Sequence, residues 1–168
     1  MADIIKARRI VADSWQLLDR SDAIPPAGEV IVPLAMWRAQ GAALTARGGR
    51  VGILLEVNDE LESIVADFPR IALIAIRFAS ATDGRGYSAA RLLRERHGWR
   101  GELRAVGEVL RDQLSYLERC GFDAFQLREG TDVRAALAAF GEFSEAYQTS
   151  VERTQPLFRR RAREGVTA

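Results

Sequence analysis

Two uninterrupted apolar runs of strand length constrain this chain most: Val51-Gly52-Ile53-Leu54-Leu55 and Ile71-Ala72-Leu73-Ile74-Ala75-Ile76. A strand with one wet face alternates apolar and polar residues, so a continuous run belongs to a strand covered on both faces. Helical stripes follow such runs. Ala89, Leu92, Leu93 and Arg96 fall at helical spacing after the second run. The pattern then repeats, with Leu103 to Val106 as a strand, Gly107 as a turn, and Val109, Leu110, Gln113, Leu114 and Leu117 on one stripe. A strand from Asp123 to Leu127 precedes a helix from about Thr131 to Tyr147 with Val133, Ala136, Leu137, Phe140 and Phe143 inward.

Strand and helix alternating in this way predict an α/β fold with a mostly parallel β-sheet and βα repeats. Spacing alone leaves two forms open, an open three-layer sheet and a partial barrel, since both use right-handed crossovers. Before the first run, Val30 to Val32 reads as a short strand. Pro33 suits the first turn of a helix carrying Leu34, Trp37 and Leu44, which Gly48-Gly49 ends. Ile10 to Leu18 reads as a strand or hairpin arm, so residues 1–27 are expected to form a hairpin-like extension, residues 28–147 one α/β domain, and residues 148–168 a basic tail.

Composition narrows the chemistry. One cysteine, Cys120, and one histidine, His97, cannot build a Cys/His zinc site or a cysteine-held cluster, and no internal disulfide forms from one thiol. No metal site and no cofactor is identifiable. Of 24 basic residues only Lys6 is a lysine, which leaves no phosphate-loop lysine and no Schiff-base candidate in context. No apolar stretch approaches the roughly 20 residues that cross a bilayer, and a soluble, cytoplasmic chain is expected. The arginine-rich tail lacks the aromatic interleaving of a nucleic-acid surface, so neither nucleic acid nor membrane is expected as a partner. A homodimer is the default assembly for a small protein of this kind.

In a parallel α/β fold, ligands gather where strands deliver their carboxyl ends. The loop Asp83-Gly84-Arg85-Gly86-Tyr87-Ser88 stands out there, because two glycines frame an arginine just before a helix. Free N–H groups beside Arg85 suit an anion; equally, Asp83 caps the turn and Arg85 pairs with it or with Glu108. Asn58, also placed as a helix cap, Glu108, Asp112, Gln113 and Arg128 are supporting candidates from the other strand ends and the following helix. Tyr87 is the one acid or base candidate of the loop, with buried packing as its other role. Cys120 and His97 both fall at helix ends, as a packed thiol and a C-terminal cap. No catalytic residue is assigned.

The ordered motifs Asp83-Gly84-Arg85-Gly86-Tyr87-Ser88, Gly101-Glu102-Leu103-Arg104-Ala105-Val106-Gly107 with Asp112-Gln113, and Arg119-Cys120-Gly121-Phe122-Asp123 resemble a bacterial family of unknown function. That family is associated with an oxidoreductase role in sulfite reduction, and its genes commonly neighbour that of the sulfite reductase haemoprotein. The resemblance spans roughly residues 28 to 147. It implies a role in assimilatory sulfate and sulfite reduction, with sulfite reductase or its electron donor as partner, and carries over no catalytic residues. With no dinucleotide fingerprint, cluster cysteines or haem-attachment motif in the sequence, an accessory or binding protein is the favoured expectation. The alternative is an oxidoreductase or a small-anion or nucleotide-binding enzyme of the same pathway, using residues 83–88.

Overall fold

The computed structural model of the chain describes residues 3–141 and residue 151. Eight strands form one sheet: β1 (Asp3–Lys6), β2 (Arg9–Ala12), β3 (Trp15–Leu17), β4 (Glu29–Pro33), β5 (Val51–Leu55), β6 (Leu73–Phe78), β7 (Glu102–Gly107) and β8 (Ala124–Phe125). Their order is β2-β1-β8-β7-β6-β5-β4-β3. From β3 to β8 neighbours run parallel, whereas β1 pairs antiparallel with both β2 and β8. The fold is α/β, but the sheet is mixed and not the mostly parallel one expected. The N-terminal hairpin causes the difference: it begins earlier than Ile10 and is an integral edge of the sheet, not an extension beside it.

The two outer strands of this order, β2 and β3, are joined by Asp13 and Ser14 alone. Three chain steps span at most about 11 Å. Opposite edges of an eight-stranded sheet lie that close only if the sheet curls, and the result is a half-barrel.

Helices occupy its outer side. They are α1 (Leu34–Ala46), α2 (Arg85–Arg91, continued by a π turn over Leu92–Arg96), α3 (Leu114–Arg119) and α4 (Val133–Leu137), with a 3-10 segment over Leu61–Arg70. Their buried residues, among them Trp37, Leu44, Ile64, Leu93, Leu117 and Ala136, share one large cluster with Val32, Ile53, Ile74, Phe78, Leu103 and Phe125 of the strands. Parallel strands in sequential order, each crossing over with the same hand, place every helix on one face. Fully burying one such aliphatic side chain stabilises by roughly 1.5–3 kcal/mol.

The alternate residues Ile31, Leu54, Leu73, Ala75 and Val106 form a second, smaller cluster on the concave side, with Trp15 packed against it. Arg104, on the same face of β7 as Val106, is 1% exposed. Its guanidinium donates to Asp13 Oδ2 at 2.8 Å and to Glu102 Oε1 at 2.7 and 2.9 Å. Lys6 Nζ lies 2.6 Å from the other Glu102 oxygen. The chain linking the two sheet edges is thus tied by Asp13 to a central strand, and among the described residues the concave side holds Trp15, the small apolar cluster and this ion cluster.

Several local expectations change. The segment after β5 is a 3-10 helix from Leu61 whose N-cap position is Glu60, so Asn58 does not cap it. Leu92 is exposed where a core position was expected, whereas Leu93 and Ala90 enter the core and Ala89 packs against it; a π turn over Leu92–Arg96 follows. Val109 and Leu110 precede the helix instead of lying on its stripe, since regular structure resumes only with a 3-10 turn at Arg111–Gln113. The predicted strand over residues 123–127 is paired only at Ala124 and Phe125. Phe143 and Tyr147 of the expected last helix, and nearly all of the basic tail, lie outside the described residues.

Candidate functional site

Strand ends supply the site, as the parallel arrangement requires. On β6 the side chains of Leu73, Ala75 and Arg77 share the concave face, because strand side chains alternate. Arg77 is therefore the charged end of an apolar column, delivered to the mouth of the half-barrel. It lines two recesses. One, of about 630 Å3, lies between the ends of β3 to β6 and is bounded by Asp19, Arg20, Ser21, Pro33, Leu34, Ala35, Arg38, Leu54, Glu56, Asp59 and Arg77. The other, of about 360 Å3, lies towards β7 and β8 and is lined by Leu17, Phe78, Ala79, Val106, Gly107, Glu108 and Gln126 together with Arg77.

The larger cleft is balanced in charge, with Arg20, Arg38 and Arg77 facing Asp19, Glu56 and Asp59. Arg77 Nε contacts Glu56 Oε1 at 3.5 Å, too long for a tight bidentate pair. Arg20 and Arg38 pair with no carboxylate among the described residues. Asp59 is partly committed, since its carboxylate accepts from the Glu56 N–H at 2.8 Å and shapes the turn after β5. The first turn of α1 forms one wall, and it contains no acidic residue and no side-chain cap. Positive charge and polar hydrogen at that wall attract an anion.

The glycine loop lies beside this cleft. Arg85 donates to both Asp83 oxygens, at 3.0 and 2.7 Å, and to Asn58 Oδ1 at 2.6 Å, so the loops after β5 and β6 are bridged. Hydrogen bonds from the Arg85 side chain and backbone hold the Asp83 carboxyl well down, at about 2. A depressed carboxylate pKa contributes stability above its unfolded value near 3.9 and loses it as pH falls through the folded value. The window is therefore about pH 4 to 2, and the pair's surface position keeps the effect small. Carboxyl NMR titration should give Asp83 a midpoint near 2, returning to the ordinary range in Arg85→Ala.

Gly86 is a packing glycine: a Cβ there would lie 2.6 Å from the Phe78 ring. Tyr87 stacks edge-on against Phe78 and lies against Tyr116, and burial pushes its hydroxyl up, away from acid-base work near neutrality. Ser88 is exposed within α2, and Gly84 occupies the position before that helix. Gln113 donates to Ala81 O at 2.6 Å and accepts from the Leu110 N–H at 3.1 Å, tying the loop after β6 to the segment after β7. Asp112 is exposed beside it. Glu108 and Arg128 approach at 3.5 Å across the ends of β7 and β8. Asn58, Asp83 and Arg85 are thus brought together, as are Glu108 and Arg128, along one rim. Burial raises the Cys120 thiol, away from the reactive thiolate form near neutrality. His97 Nε2 is buried without a hydrogen-bond partner among the described residues, 3.7 Å from Glu62.

Sequence reasoning missed Arg77, Arg38 and Arg104. For Arg77 a signal existed, because a charged residue two positions beyond Ala75 continues the concave face of the strand.

Residues 52–158 match the model of a family described as bacterial protein of unknown function (DUF934). The chain belongs to this family. No curated protein and no solved structure matches it. The matched stretch begins within β5, so the family region carries Glu56, Asp59 and Arg77, while Arg20, Arg38 and the start of α1 come from residues before it. Among the described residues no helix is long and apolar enough to cross a membrane, and no group of three or more His, Cys, Asp or Glu side chains is placed to hold a metal ion.

Proposed function

We propose that this chain is an accessory binding protein of assimilatory sulfate and sulfite reduction, acting beside sulfite reductase or its electron donor and binding an anion at the strand-end cleft. The pathway is supported by the resemblance of the motifs at residues 83–88, 101–107 and 119–123. The binding role is supported by one observation above the others: Arg77 stands at the mouth of the half-barrel, held among the described residues only by a long contact to Glu56, with a cleft on either side. An arginine fork in such a place is suited to a sulfur or phosphorus oxyanion.

Purified sulfite reductase assayed with and without the protein tests the role. The expected result is a change in turnover or a stable association with the wild-type chain, and a diminished one with Arg77→Met. Neither association nor a change in turnover would refute it. The bridge from Arg85 to Asn58 and Asp83 favours a second reading, an enzyme of the same pathway whose anion site is the loop at residues 83–88. Under that reading Arg85→Ala, and not Arg77→Met, abolishes ligand-induced stabilisation.

A further inference from the structure

We infer that the larger cleft takes a hydroxyl-bearing organic ester of phosphate or sulfate in preference to an inorganic ion, an inference that rests on the anion-binding reading above. Size argues first. A volume of about 630 Å3 lies inside the roughly 300–1,000 Å3 of sites that enclose organic ligands. A single water occupies about 30 Å3 in the liquid, and a tetrahedral ion of five heavy atoms would fill only a small part of the cleft.

Charge argues in the same direction. A site built for a bare oxyanion gains from net positive lining, but here Arg20, Arg38 and Arg77 are matched by Asp19, Glu56 and Asp59. Carboxylates repel a bare anion and accept hydrogen bonds from hydroxyl groups. Glu56 is about half-exposed, and among the described residues its carboxylate meets a single partner, Arg77, at 3.5 Å. Arg77 receives the ester's anionic head at the mouth of the cleft, and Arg38, which has no carboxylate partner among the described residues, adds positive charge beside the first turn of α1. Binding alone is inferred, with no bond made or broken.

Calorimetric titration of the full chain with adenosine 5′-monophosphate, ribose 5-phosphate, inorganic phosphate and inorganic sulfate, at matched ionic strength, is the test. At least one ester should bind about tenfold or more tighter than either inorganic ion, as a hydrogen bond to a charged group allows. Glu56→Gln should weaken that ester by about tenfold while leaving the inorganic ions unchanged or tighter. Inorganic ions binding as tightly as both esters, or a Glu56→Gln chain that binds the ester normally, would overturn the inference and leave the anion reading intact. No binding of any of the four would overturn both.

Discussion

Replacing Arg104 with alanine is expected to lower the stability of the chain by about 3 to 5 kcal/mol, the cost of leaving buried charges without their partner. Arg104 is 1% exposed, and its two carboxylate partners, Asp13 and Glu102, are 10% and 8% exposed. Removing the guanidinium strands both in the interior, with only Lys6 left beside Glu102. At roughly 2–4 °C per kcal/mol for a chain of this size, the melting midpoint should fall by on the order of 10 °C. The loss belongs to the unpaired carboxylates more than to the ion pairs themselves. Arg104→Met combined with Asp13→Asn and Glu102→Gln should therefore recover much of it, because a buried ion cluster can often be replaced by neutral groups at little cost. Chemical denaturation of the wild type, Arg104→Ala and the combined variant checks this, and a loss below about 1 kcal/mol in Arg104→Ala would place Arg104 in contact with water.

Gly107→Ala is the second large effect. Gly107 has φ +91°, in the region side chains rarely adopt, and an added Cβ would lie 2.5 Å from Phe78 O. That oxygen already accepts from the Glu108 N–H at 2.8 Å. Unlike a side-chain clash, this one can be relieved only by moving the paired ends of β6 and β7. Backbone strain and overpacking together should cost about 2 to 4 kcal/mol. Because Gly107 also lines the smaller recess, the same variant should disturb the mouth of the half-barrel. Denaturant unfolding measures the first effect, and a change under about 0.5 kcal/mol would contradict the geometry.

How much of this was legible in the sequence depends on how local the signal is. The buried strands β5 and β6 and the start of α1 after Pro33 follow from short patterns that neighbouring residues settle among themselves. The partner of β1 does not. Ile5 pairs with Phe125, 120 positions away, and nothing near either residue specifies an antiparallel neighbour. The sheet was accordingly expected to be more parallel than it is.

Asn58 shows a similar limit. Its sequence context is that of a helix cap, but the observed partner is Arg85, a tertiary contact that replaces the local one. The interior ion cluster was partly visible. Glu102-Leu103-Arg104-Ala105-Val106 alternates in a way that puts two charges on one face of a strand, but only the curl of the sheet reveals that this face is enclosed. Arg77 was hidden by its place at the end of an apolar run, where a charged residue reads as the run's terminus and not as the part of the strand that meets a ligand.

Thermal unfolding of the wild-type chain, Arg77→Met and Arg85→Ala in rising adenosine 5′-monophosphate and inorganic sulfate bears most directly on the cleft. A ligand that binds only the folded state stabilises it by about 2.7 kcal/mol at one hundred times its dissociation constant. Sulfate also raises midpoints generally by exclusion from protein surfaces, so the difference between chains is the signal. The midpoint of the wild type and of Arg85→Ala should climb with ligand, while that of Arg77→Met, folded and similar without ligand, should show only the general rise. Equal climbs in wild type and Arg77→Met would contradict a binding site centred on Arg77.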